Sequence, residues 1–182
     1  MVWPMRFVAI ALGLCLLPGV GAAVGSLDDA PPQPTATTTK CTGGQVWDAG
    51  AGACVSPQQS RLDDDTLYRA GREFAYSGAY GHAGAALAAM ADQQGDRVLT
   101  YRAFIARKTG AADESLALYE AAIAANPDNL LARSYLGQAL VEVGRTDAAR
   151  AQLAEIRGRG GRQTWPEIAL RNALRSGVGY SY

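Results

Sequence analysis

Apolar residues are distributed in two ways along this chain. At residues 7–17 they form an unbroken run with no charged side chain. From Asp63 onward they recur three and four residues apart, the spacing of one face of a helix. Leu67, Ala70, Gly71 and Phe74 lie on the first such face, and Ala83, Leu87 and Met90 on the second. Leu99, Ala103 and Ala106, followed by Ser115, Tyr119, Ala122 and Pro127, mark a second pair of helices. Leu136, Gly137 and Leu140, followed by Ala149, Leu153 and Ile156, mark a third. The glycines that end the first helix of each pair, Gly78, Gly110 and Gly144, stand 32 and 34 residues apart. That period predicts stacked helix-turn-helix units.

The expected helix ends agree with this division. Asp63 to Asp65 precede the first helix, Asn126 and Pro127 are placed to cap and start the fifth, and Thr146 and Asp147 to cap the sixth. The acidic triplet reads as caps and partners of the helix dipole, ahead of a metal site. Gly158 to Arg162 reads as an interhelix loop, after which Thr164, Trp165, Pro166 and Glu167 form a capping box. The helix it opens runs to about Arg175, and Ile168, Leu170 and Leu174 are placed to cover the last apolar face.

Small residues at Gly71, Ala103 and Gly137, and again at Ala83, Ser115 and Ala149, let paired helices approach closely. With these spacings, residues 63–161 resemble three consecutive members of the tetratricopeptide repeat family. Two departures stand out: Arg102 occupies a position where the family usually has leucine, and Leu67, Leu99 and Arg133 replace its preferred aromatic. The expected fold is all-α, a short solenoid of three such units with a C-terminal capping helix, occupying residues 61–175. A signal peptide, a disordered linker and a small disulfide loop are expected before it.

Residues 1–23 have the three-part layout of a secretory leader: Arg6, the apolar run, then Pro18, Gly19, Gly21, Ala22 and Ala23. Cleavage is expected after Ala23, and an uncleaved anchor is the competing reading. Cys15 follows Leu14, which disfavours lipid attachment there. Residues 24–40, rich in Pro and Thr, predict an extended linker. In an exported chain Cys41 and Cys54 have only each other as partners, and closing the 41–54 loop contributes about 3 kcal/mol in the chain-entropy model. A zinc site there lacks half its ligands. Gly44, Val46, Trp47 and Asp48 resemble a fragment of peritrophin-type chitin-binding modules, so Trp47 has two readings: stacking on a sugar ring, or packing within the loop. Residues 176–182 are expected to form a flexible tail.

Composition narrows the function. Seventeen basic and seventeen acidic side chains leave no excess for nucleic acid. His82, the sole histidine, argues against catalysis, and no metal or cofactor motif accompanies it. Without the leader, no membrane span remains in the mature chain. Fifteen arginines against two lysines point to a GC-rich bacterial genome, and with the leader to the periplasm.

The family resemblance implies a non-enzymatic scaffold or adaptor of the cell envelope whose first helices line a concave groove for a peptide or helix. Carried onto this chain, the groove positions are Tyr68, Arg72 and Tyr76, then Arg97, Thr100, Phe104, Arg107 and Lys108, then Ser134, Gln138 and Glu142. Four bases and one acid in that set favour a protein or peptide partner bearing carboxylates. The alternative is glycan or cell-wall binding through the Cys41–Cys54 loop, with the repeats as a spacer.

Overall fold

In the computed structural model, which describes Met1, residues 29–59 and residues 61–179, three helical hairpins follow one another and a single helix closes the array. The hairpins are α2 (Asp64–Tyr76) with α3 (Tyr80–Ala88), α4 (Asp96–Lys108) with α5 (Ala112–Ala125), and α6 (Leu130–Glu142) with α7 (Thr146–Gly158). The closing helix, α8 (Trp165–Ser176), packs on α6 and α7. The all-α repeat array expected from the sequence is the observed one. The expected leader beyond Met1, its expected cleavage position and the last three residues of the chain lie outside the described residues.

One device ends the first helix of every hairpin. Gly78, Gly110 and Gly144 adopt φ of +80°, +90° and +76°, where a Cβ is strained. Each lets the next residue's N–H reach back along the helix, from Ala79 to the Phe74 carbonyl at 2.9 Å, and at 2.8 Å from Ala111 to Ala106 and from Arg145 to Leu140. The repeated glycine is thus a repeated turn.

Helix starts are less uniform. Asp63 caps α2 as expected, its Oδ1 accepting from the Thr66 N–H at 2.6 Å. Asp64 accepts from the Ala91 N–H and Asp65 pairs with Arg97. Asn126, however, ends α5 in extended backbone before Pro127, and Asn129 caps α6 instead, accepting from Ala132. Thr146 is already helical: the Gly144 turn makes Arg145 the cap residue, with no side-chain bond. The capping box expected at α8 is not made, although its carboxylate finds a backbone donor one residue earlier. Glu167 accepts from the Gln163 N–H at 3.0 Å, but the Thr164 hydroxyl donates to the Gly161 carbonyl rather than capping.

Close helix contacts occur at the small residues. Gly71 lies under Leu87, and a Cβ on Gly137 would sit 2.6 Å from the Leu170 methyls. Ala83, Ala103, Ser115 and Ala149 are fully buried. Arg102, in the leucine position, turns its guanidinium outward to Gln93 Oε1.

The expected free linker is different over residues 29–40, which lie against α2. Thr35 begins the four-residue helix α1 (Ala36–Thr39) and donates to both oxygens of Glu73, through its N–H at 2.6 Å and its hydroxyl at 2.7 Å. Thr38 adds a third donor, and Arg72 donates to the Ala30 carbonyl at 2.6 Å. A carboxylate buried in α2 needs such donors, and hydroxyl-rich chain supplies them even without apolar side chains.

Cys41 and Cys54 are bonded, and β1 (Val46–Asp48) pairs antiparallel with β2 (Ala53–Val55), Trp47 opposite Cys54. Val46 is fully buried in the same apolar cluster as Leu67 and Phe74, and Gly44 sits against the His82 ring. Gly179, in the expected flexible tail, is buried beside Glu142 and Arg107.

Candidate functional site

The first helices bring their aromatic side chains into one strip. Tyr68 on α2 meets Tyr101 on α4 edge-on at 5.6 Å between ring centroids, and Tyr101 meets Tyr135 on α6 at 6.3 Å. Phe104 lies 5.3 Å from Tyr135 and stacks on Tyr76 at 5.7 Å. The hydroxyls of Tyr76 and Tyr135 are hydrogen-bonded to each other.

Cations are laid over these rings. Arg97 sits 3.8 Å above Tyr68, while Arg72 spans Tyr68 and Tyr101 and donates to the Tyr101 hydroxyl at 3.1 Å. Arg107 lies over both Phe104 and Tyr135, and Lys108 over Phe104 at 5.7 Å. A ring face attracts a cation, so this arrangement holds four positive charges along one apolar strip.

Arg107 is the unusual member. Its side chain is only 3% exposed, with Nη1 3.5 Å from the Tyr135 carbonyl and Nε 4.0 Å from Glu142 Oε2. Nε and Nη2 have no hydrogen-bond partner among the described residues. A buried charged donor without an acceptor is costly and uncommon. Lys108, its neighbour, has its pKa lowered by burial first and then by the Arg107 charge, against the opposing pull of Glu142.

The positions carried over from the family do not share one environment. Tyr68, Arg72, Thr100, Phe104 and Arg107 are buried within the strip, whereas Tyr76, Arg97 and Lys108 are half-buried at its edges and Glu142 is exposed. Ser134 and Gln138 are turned into the α6–α8 contact: the Ser134 hydroxyl donates to the Pro166 carbonyl at 2.8 Å and accepts from Gln138 at 3.3 Å. Thr100 donates to its own helix at the Asp96 carbonyl. Two members of the strip, Tyr101 and Tyr135, are absent from that set. Their separation of 34 residues, the unit period, is the signal that identifies them.

Elsewhere, Trp47 carries Lys40 over its ring at 5.0 Å and lines a cleft of about 400 Å³ between the disulfide loop and α2. His82 is exposed, edge-on to Phe74. Among the described residues, no three metal-ligating side chains converge and no helix is long and apolar enough to cross a membrane.

Comparison with known families matches residues 106–168 to the tetratricopeptide repeat, from the end of α4 into α8. No curated protein and no solved structure is matched by the chain. With three hairpins of one construction and the family match running from the end of α4 through α5, α6 and α7 into α8, this chain is a tetratricopeptide repeat protein.

Proposed function

We propose that this protein, built of repeats that serve as scaffolds for protein–protein interaction, is a non-enzymatic adaptor of the cell envelope, and that the strip on α2, α4 and α6 takes an acidic peptide or helix. The observation that carries the reading is Arg107, a buried guanidinium with two unused donors in a surface of four bases and one nearby acid. A partner carboxylate supplies the missing acceptor, and its charge offsets the repulsion between Arg107 and Lys108. The aromatic edges beside it offer an apolar anchor site. The envelope assignment draws on the leader-like residues 1–23 and on the Cys41–Cys54 bond, which persists in oxidising compartments.

The test is photocrosslinking in intact cells from a reactive residue replacing Tyr76, at the edge of the strip, against one replacing Glu120, exposed on α5. Labelling of a protein partner from position 76, at least tenfold over position 120, is the expected result. Equal labelling from both contradicts the reading. A second reading, sugar stacking on Trp47, draws on the cleft beside that ring. It takes first place if insoluble peptidoglycan sediments the protein, Trp47→Ala abolishes this, and position 76 labels nothing.

A further inference from the structure

The α8 helix packs on α6 and α7. Between α7 and α8 lies a cleft of about 730 Å³. Its floor is apolar, made by Leu153 and Ala154 of α7 and Leu174 of α8.

Its walls are arginine. Arg150 and Arg157 stand seven residues apart on α7, about 10 Å along the axis, and Arg171 and Arg175 face them from α8. Arg162 closes one end. Among the described residues two carboxylates serve these five guanidiniums: Asp147, almost wholly exposed, pairs with Arg150 at 2.7 Å, and Glu167 pairs with Arg157 at 2.8 Å and Arg171 at 3.9 Å. The corresponding outer helix of the preceding hairpin, α5, has the opposite sign, with Asp113, Glu114 and Glu120 exposed and no basic residue. The neutral total therefore conceals a local basic cleft with an apolar base.

We propose that this cleft is the seat of an acidic amphipathic helix of a partner protein. Two facing helices make a trough, the form that receives a helix by its apolar stripe, and guanidiniums on both walls match carboxylates on both flanks of that stripe. The partner therefore carries apolar residues at i, i+3 or i+4, and i+7, bordered by Glu or Asp. A second copy of the chain does not fit this description: among its described residues the exposed large apolar side chains are Met1, Val143 and Val178, none on an acidic helix, and the apolar run at residues 7–17 has no acid. The seat is separate from the aromatic strip on the first helices.

The probe is a fluorescein-labelled 18-residue helical peptide of leucine, alanine and glutamate in that pattern, titrated into the disulfide-intact protein and followed by anisotropy. Saturable binding is expected that weakens steeply with salt and falls at least tenfold in the double variant Arg150→Glu/Arg175→Glu, both exposed positions outside the Glu167 pairs. Arg69→Glu, exposed on α2 and outside both this cleft and the aromatic strip, is expected to leave it unchanged. Equal binding of a lysine-for-glutamate peptide, or unaltered binding by the double variant, overturns the proposal. So does absence of binding at 1 mM peptide in low salt. Displacement of the peptide by phosphatidylglycerol vesicles but not by phosphatidylcholine vesicles reassigns the cleft to an anionic membrane surface.

Discussion

At the scale of single residues, the positions that matter most are those whose surroundings leave no freedom. Gly161, between α7 and α8, donates its N–H to the Ile156 carbonyl at 2.9 Å, and a Cβ there would lie 2.8 Å from that oxygen and 2.6 Å from the Ile156 Cγ2. No rotamer change moves a backbone oxygen, so Gly161→Ala is expected to destabilise the protein by about 1–3 kcal/mol, read as a lower urea midpoint. The loop itself was legible in the sequence from its glycines, but the reason for this glycine was not, because the crowding comes from the helix it has just left. The same holds at the candidate site. Arg107 and Lys108 follow from the helical period, while the burial of Arg107 depends on rings contributed by α4 and α6 together.

Among the elements, helix ends read best where one residue decides them. The three glycine turns have this property, since only the left-handed backbone at that residue closes the helix. Capping side chains have alternatives: Asn126 was displaced by Asn129, and the Thr164 hydroxyl turned back to Gly161. At α8 the Glu167 carboxylate takes the N–H of Gln163 and not that of the cap residue Thr164. Glu167 is almost fully buried, and its pKa lies below its ordinary 4.5 because it accepts from the Gln163 N–H and then from Arg157, with the Arg157 and Arg171 charges adding to this against the cost of burial. A carboxylate whose pKa falls on folding adds stability that is complete above pH 4.5 and is lost as the pH drops through the folded value. Glu167→Gln is therefore expected to be less stable than the wild type at pH 6, and the gap to narrow by pH 3. Urea midpoints at the two pH values measure it, and a gap independent of pH contradicts the assignment.

Across the whole molecule, the unit period made the array legible, because each hairpin repeats the same apolar spacing and the same turn. What lies before the array was not legible in the same way. Residues 29–40 have too few apolar side chains to announce a packed segment, yet their threonines satisfy Glu73, and the disulfide hairpin enters the core through Val46 alone. Such contacts are set by what α2 and α3 present, which no local pattern encodes. Charge is similarly distributed at this scale: a neutral chain holds cations over an aromatic strip on its first helices and a cluster of arginines at its closing end. The central claim is that the strip receives a partner carboxylate at Arg107, and Arg107→Met tests it most directly because the variant keeps the buried stem and removes the charge. Crosslinking from position 76 is expected to fall at least tenfold while the urea midpoint holds or rises, since an unsatisfied buried cation has been removed. Crosslinking at the wild-type level in Arg107→Met would contradict the account.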